Sequence, residues 1–284
     1  MSNIKLIGVD LGATNIRAAI VSENRITDIK SKRINSTGTE EQVLEDVFQT
    51  VDAVMNKEVK AIGIGVPGVV DIKNGIVYDV IYIPSWKKVH LKEKMEARYG
   101  IPVFVNNDAN CFALGEFHFG KGKGSESMIG LAIGTGLGAG IIINHKLYAG
   151  PNCGAGEFGM IEYLDKVYEY YCSGQFFQNV YQLDGETVFE NAKKGDPRSL
   201  QLYELMGTHL GNAIKAIMYS YDPDLIIFGG SVRFAYEFFQ KTMWERIRTC
   251  AFSQSVANLQ IKISELENSG ILGAAALYYD AQSK

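Results

Sequence analysis

Three polar side chains close an apolar run in Pro102–Asn110, PVFVNNDAN: Asn106, Asn107 and Asp108. Val103, Phe104 and Val105 read as a buried strand, and Ala109–Phe119 as a helix with Cys111, Leu114, Phe117 and His118 near one face. A carboxylate at the C-terminal end of a buried strand stands where open α/β sheets bind ligands, so Asp108 is placed to hold a polar ligand. The plainer alternative is a helix cap, a position that favours Asp and Asn.

Glycine turns offer a second chemistry, anion binding. Ile4–Val9 runs into Asp10–Asn15, DLGATN, and a second apolar run, Ile16–Val21, follows. Strand, tight turn, strand is a hairpin. It is therefore neither a P-loop nor a dinucleotide fingerprint, which both need a helix after the glycines. Gly12 lets backbone amides approach a phosphate, Thr14 adds a hydroxyl donor, and Asp10 can hold a hydrated Mg²⁺. The same pattern returns later: strand Met128–Ile133, then Gly134–Gly140, GTGLGAG, then strand Ile141–Ile143. Thr135 supplies the hydroxyl there. Two such hairpins form a pseudo-repeat suited to gripping a nucleotide's phosphates from both sides. Other candidates are weaker alone. Pro67–Asp71 is a rigid turn that brings the Gly68 amide to a ligand or is a plain loop. Glu157, Glu162, Asp165 and Glu169 are acidic groups interleaved with aromatics, fit for vicinal hydroxyls or for solvent. Gly229 and Gly230, between a strand and a helix, leave backbone open to a ring or phosphate.

The remaining elements position these groups. Arg25–Ile34 reads as a third strand and Thr39–Lys57 as a helix, with Val43, Val47, Val51 and Val54 at helical spacing and a Thr39/Gln42 capping box. Ala61–Val66 is a strand, and Gly75–Trp86 is irregular, with Trp86 either edging a pocket or filling the core. Leu91–Tyr99 is a helix ended by Gly100, and Gly120–Ser125 is a linker with a domain boundary near it. Helices follow at Gly174–Leu183, Glu186–Lys194, Ser199–Ser220 and Phe234–Thr249, with strands at Asp224–Phe228 and Ile261–Ile263. His209 lies beside the apolar stripe of Ser199–Ser220 and reads as a satisfied interior or edge histidine rather than a catalyst. In the closing helix Gly270–Tyr279, the small residues Gly273, Ala274, Ala275 and Ala276 suit close packing.

Composition narrows the classes. A chain of 284 residues fits one large domain or two ordinary ones, and 46% hydrophobic with 21% charged residues calls for a packed core. The net charge of −4 gives no general attraction to nucleic acid or anionic membrane. No apolar run spans a bilayer, and no signal-peptide pattern precedes the first strand. Cys111, Cys153, Cys172 and Cys250 lack metal-ligand spacing, so reduced thiols in a cytoplasmic protein are expected.

In this order, DLGATN, VNNDAN, GTGLG, AGEFG and PDLIIFGGS resemble the motifs of the ROK family (repressors, open reading frames and sugar kinases) over nearly the whole chain. The resemblance implies an α/β, two-domain actin-like ATPase (ribonuclease H-like) fold with an active-site cleft between domains. Residues 1–119 plus 271–284 would form the small N-terminal domain and 120–270 the large C-terminal one. It implies ATP-dependent phosphorylation of a hexose 6-hydroxyl, with Asp108 as general base. Asn107, Glu157 and Glu169 would hold ring hydroxyls, with the Gly68 turn close by. Asp10, Gly12 and Thr14 would sit at the phosphates and Mg²⁺, with Asp10 meeting the metal through water. Gly134, Thr135, Gly136 and Gly138 would contact phosphates, and Gly229 and Gly230 would line the adenosine pocket. ATP and Mg²⁺ are the implied cofactors, a small-molecule sugar the partner and a homodimer the assembly; nucleic acid and membrane are not expected partners.

One region departs from the family pattern. Met160 stands where the family's Glu-x-Gly-His motif has its histidine, and the three-cysteine zinc stretch is missing. Glu169–Gly174 resembles the Glu-x-Tyr-x-Ser-Gly pattern beyond it, which aligns Glu169 with the second sugar-binding glutamate. No zinc is expected; Tyr163, Tyr168 and Tyr170 take over by packing. The change leaves the sugar open among glucose, mannose, fructose, N-acetylmannosamine and N-acetylglucosamine. Two alternatives are a sugar-responsive regulator, disfavoured because nine residues precede Asp10, and a sugar binder without catalysis, disfavoured by Asp108 and the phosphate turns.

Overall fold

A computed structural model describes residues 4–23 and 25–282. By contacts the chain falls into two compact units, one of Met1–Glu126, Gly140–Ala155 and Glu265–Lys284, the other of Ser127–Ala139 and Gly156–Ser264. The ranges expected from sequence differ from these in the stretch Gly140–Ala155 and by a few residues at each border.

The first unit is built on a five-stranded sheet in the order Arg25–Arg33, Asn15–Ser22, Lys5–Leu11, Val59–Val66, Val103–Asn107. The first three strands are antiparallel and the last three parallel. Lys5–Leu11 and Val59–Val66 are buried almost throughout, as parallel strands covered on both faces are. Arg25–Arg33 is mostly exposed and carries the charges that suit a sheet edge. Register decides what meets at the far end. Asp10 pairs with Gly65, Gly65 with Asn106, and Val66 with Asn107. The DLGATN turn, the Pro67–Gly68 turn and Asn107–Asp108 thus leave the sheet at one edge, on strands about 4.8 Å apart.

The helix Ser269–Gln282 lies directly on backbone. An added methyl at Gly8 would meet Ile271 O at 2.0 Å, at Gly63 Ala274 O at 1.7 Å, and at Gly273 Cys111 O at 1.6 Å. This is the close packing read from its small residues. Glu40–Asp52 carries the expected capping box, Gln42 N–H to Thr39 Oγ1 at 3.4 Å and Thr39 N–H to Gln42 Oε1 at 3.0 Å. It stops at Asp52 rather than Lys57; Val54 packs into the core from the following turn. Gly100 ends Leu91–Tyr99 at φ +67°, a conformation glycine adopts without strain.

The structure alters, decides or adds to the sequence reading at three places. Pro67–Asp71 is not one rigid turn: Val69–Asp71 pairs with Ile76–Tyr78, and that strand with Lys88–Val89, in a small ribbon that also orders part of the stretch read as irregular. Trp86 is wholly buried and fills the core. A short helix, Ser253–Asn258, buries no residue, so it carried no periodic signal.

The second sheet runs Lys146–Leu147, Leu137–Ile143, Met128–Ile133, Leu225–Gly229, Gln260–Ile263, the same order by position as the first. Within the second unit Leu225–Gly229 is parallel to both Met128–Ile133 and Gln260–Ile263. The long helix Pro197–Tyr221 begins at Asp196, whose side chain accepts from Ser199 N–H at 2.8 Å. It packs on Tyr236–Ile247 through Gly207 and Gly211, where an added methyl would lie 2.4 Å from Phe239 O and 2.7 Å from Met243 O. The 3₁₀ turn Ser231–Ala235 precedes that second helix, which starts at Tyr236 rather than Phe234. Among the described residues no helix is long and apolar enough to cross a membrane.

A methyl at Gly273 has only carbonyl backbone to displace. Gly273→Ala should lower unfolding stability by about 3 kcal/mol in urea titration, the upper end of ordinary overpacking. Gly154→Ala, whose methyl would meet nothing within 4 Å, should leave the midpoint within about 0.5 kcal/mol of the parent.

Candidate active site

In the first unit, the strand Val103–Asn107 hands directly to the helix Asp108–Phe119. Asn107, not Asp108, caps that helix: its Oδ1 accepts from Ala109 N–H at 2.8 Å. Its Nδ2 donates to Gly68 O at 3.2 Å, tying the Pro67–Gly68 turn to the helix start. Asp108 is the first helical residue and is exposed, with Oδ1 accepting from Ala109 N–H at 2.9 Å. The cap that competed with a ligand role for Asp108 thus belongs to its neighbour. Beneath them Asn106 is buried, and its Oδ1 accepts from Asn107 N–H at 2.8 Å and Asn110 Nδ2 at 2.9 Å. Cys153 adds a longer thiol contact to the same oxygen at 3.5 Å.

Asp10 sits two strands away in register, with Gly65 between it and Asn106. Arg17 Nη2 donates to its Oδ2 at 2.6 Å, while Arg17 Nη1 reaches Asn268 Oδ1 at 3.3 Å. The start of the helix Ser269–Gln282 lies against the carboxyl, for a methyl at Gly270 would come 2.8 Å from Asp10 Cγ. Gly12 and Asn15 close the hairpin through Gly12 N–H to Asn15 O at 2.9 Å, and Thr14 is exposed at its tip. Mg²⁺ bound with a nucleotide takes most ligands from phosphate and water and one or two carboxylates from protein. Asp10 fits that need: a partly exposed acceptor whose Oδ2 is tied to Arg17, leaving Oδ1 for a hydrated cation. Among the described residues no group of three or more His, Cys, Asp or Glu side chains is placed to hold a metal ion.

In the second unit, the glycine turn is shorter than the motif. Gly134 N–H donates to Gly136 O at 3.0 Å, and the strand resumes at Leu137, so Gly138 lies in the strand and not in the turn. A pocket of about 450 Å³ opens beside it, walled by Gly134, Thr135, Gly174 and Gln175, by Phe177, Phe189, Tyr203 and Phe234, and by Ser231, Val232 and Ala235. Gly229 and Gly230, expected at an adenosine pocket, precede the part of this segment that walls the cavity, which begins at Ser231. Gly230 has a different duty at φ +73°: a methyl there would lie 2.2 Å from Ile133 O, so it lets the segment pass close to the turn. The aromatic wall comes from three helices and the 3₁₀ turn Ser231–Ala235, so no single stretch of sequence signals it.

Glu157 and Glu169 are electrostatic neighbours. Partial burial, with the Glu169 charge nearby, pushes the Glu157 carboxyl above the ordinary glutamate range, although much of the residue still faces solvent. Glu169 Oε2 accepts from Leu137 N–H at 2.9 Å. The segment between them forms a small hairpin, Glu162–Tyr163 with Lys166–Val167. Tyr163 stacks on Tyr168 with ring centroids 4.4 Å apart, and its hydroxyl meets His209 Nδ1 at 3.1 Å and Asn212 Nδ2 at 2.8 Å. Tyr171 also joins this cluster, 5.0 Å from the His209 ring. Tyr170 instead donates its hydroxyl to Asn179 O at 2.8 Å. His209 is thus a half-buried residue with a partner, and burial lowers its pKa.

Comparison with known proteins agrees with the motifs. The ROK family model matches residues 6–281. The glucokinase of Thermotoga maritima is 29% identical over 98% of both chains. The structure of a ROK family glucokinase from Streptomyces griseus, in complex with glucose and AMPPNP, superimposes with a TM-score of 0.80 at 30% identity, covering 96% of this chain and 98% of that one. The family also holds regulators: the xylose repressor of Caldicellulosiruptor bescii is 26% identical over 96% of this chain and 77% of its own length. The α/β, actin-like ATPase fold expected from sequence is that of these structural neighbours. With its motifs in order and the family model spanning nearly its full length, the chain belongs to the ROK family.

Proposed function

We propose that this protein is an ATP-dependent sugar kinase that phosphorylates the 6-hydroxyl of a hexose, with glucose the first candidate. The observation that carries the reading is the strand register that brings Asp10, the Gly68 turn, Asn107 and an exposed Asp108 to one edge of one sheet. Support also comes from the glucokinase relatives and from the pocket beside the Gly134–Gly136 turn. Asp108 accepts the O6 proton as O6 attacks the γ-phosphorus; the new O6–P bond forms while the bond to the β,γ-bridging oxygen breaks, ADP leaves, and the proton passes to solvent. Asn107, Glu157 and Glu169 hold ring hydroxyls, and the Gly68 carbonyl fixes Asn107. Asp10, Gly12 and Thr14 meet phosphates and metal, with Gly134, Thr135 and Gly136 on the phosphates as well. Mg²⁺, when bound, neutralises charge on the transferring group. Cytoplasmic location and a homodimer belong to the same reading and rest on the family resemblance.

A coupled ADP-release assay across glucose, mannose, fructose, N-acetylmannosamine and N-acetylglucosamine tests the activity; no turnover on any of them would refute it. Asp108→Asn should lower kcat by about 10²–10⁴ while sugar affinity stays within about threefold; full activity would remove Asp108 from the role. Gly134→Ala, whose methyl meets nothing within 4 Å, should melt like the parent yet raise KM for ATP.

Glu157 gives a pH signature. Its folded-state pKa is raised, so the fold binds its proton more tightly than the unfolded chain does, and this group's contribution to stability falls as pH rises from the ordinary glutamate range through the folded value. Glu157→Gln should therefore melt above wild type at neutral pH, the gain vanishing in acid. Wild-type sugar affinity should weaken on acidification at a higher pH than an ordinary glutamate would give, and the variant should lack that limb. Titration calorimetry against pH reads both curves.

A further inference from the structure

The segment Glu169–Gly174 holds the Gly134–Leu137 turn at two points. Glu169 Oε2 accepts from Leu137 N–H at 2.9 Å, and a methyl on Gly136 would lie 2.6 Å from that same oxygen. Five residues on, Gly174 N–H donates to Gly134 O at 2.7 Å. Gly174 and Gln175 then wall the pocket together with Gly134 and Thr135. The short helix Tyr168–Cys172 is fastened from behind, with Tyr168 stacked on Tyr163 and Tyr171 against His209 of the long helix. The turn therefore rests on a braced strut, and Glu169 is its side-chain end.

We propose that Glu169 is a positioning residue for the phosphate turn as well as a sugar ligand, so that one carboxylate couples sugar occupancy to nucleotide affinity. The sugar half rests on the kinase reading; the turn half does not. A carboxylate offers about four lone-pair sites, and Leu137 N–H uses one on Oε2. A hydroxyl donated to the remaining sites fixes the Glu169 rotamer. A fixed rotamer keeps the Leu137 amide engaged and the Gly134–Gly136 backbone in the shape an anion meets. By linkage, nucleotide then raises sugar affinity by the factor that sugar raises nucleotide affinity.

Calorimetric titration of an unhydrolysable ATP analogue, with and without saturating hexose, tests this. In the wild-type protein the two ligands tighten each other by one common factor, in the range of about 5–150. Glu169→Ala weakens the analogue about fivefold with no sugar present, the loss of one net hydrogen bond, and brings the coupling factor to about one. Glu169→Gln, whose amide oxygen still accepts from Leu137 N–H, restores analogue affinity while binding sugar weakly. If the alanine variant does not fold, Glu169→Asp, one methylene short of Leu137, replaces it with the same expectation. Analogue binding unchanged in the alanine variant, or unrestored by glutamine, overturns the positioning role. If wild type binds no hexose, the kinase reading and the coupling fall together, and the sugar-free comparison still decides the role of Glu169 at the turn.

Discussion

Backbone meets backbone where the helix Ser269–Gln282 crosses the first sheet, and the first unit depends on that contact. At Gly8, Gly63 and Gly273 no side chain separates the helix from its neighbours. Strand pairing fixes the spacing of Lys5–Leu11, Val59–Val66 and Val103–Asn107, and the helix lies on two of those strands and against the helix that Asp108 begins. Interiors packed this tightly do not deform continuously. A shift of one strand along another would turn its side chains to the wrong face and move a polar turn out of the row. The edge bearing Asp10, Gly68 and Asp108 is thus a product of packing some distance from it.

Much of this was legible because the signals were local. Valines at helical spacing, a capping box and apolar runs ending in glycine turns each report on their own few residues. The same locality explains the misses. Val69–Asp71 is too short to alternate, and its partner Ile76–Tyr78, itself paired with Lys88–Val89, is needed to make it a strand. Asn107 and Asp108 are equally good caps by residue type, and only the geometry of the strand-to-helix turn gives the cap to Asn107. A glycine pair between strand and helix says only that backbone is open there, and the positive φ of Gly230 and its approach to Ile133 O show in the fold alone. The pocket's aromatic wall draws on three helices and a 3₁₀ turn, and no single stretch of sequence contains that fact.

The stretch after Glu157 shows how a small region is held by aromatic packing. A hairpin of two-residue strands is too short to be stable alone. Here Tyr163 stacks on Tyr168 and hydrogen bonds to His209 and Asn212, which pins the hairpin to a helix of 25 residues. Aromatic pairs add about 0.5–1.5 kcal/mol beyond area burial, and a buried hydroxyl with partners avoids a desolvation penalty. Of the three tyrosines expected to brace the region, Tyr163 and Tyr168 do so, Tyr170 turns to Asn179, and Tyr171 joins instead.

Two aspartates stand at strand ends of the first sheet and differ in what surrounds them. Asp10 is committed by Arg17 on one side and by the start of a helix on the other, so its charge is fixed in place and compensated. Asp108 is exposed at the first turn of its own helix, where the N-terminal dipole favours a carboxylate without covering it. A carboxylate held by an arginine suits a constant charge beside a hydrated cation, while an exposed one held near its own backbone suits an incoming hydroxyl. Environment alone sets apart two residues of one type, as it does for paired carboxylates generally.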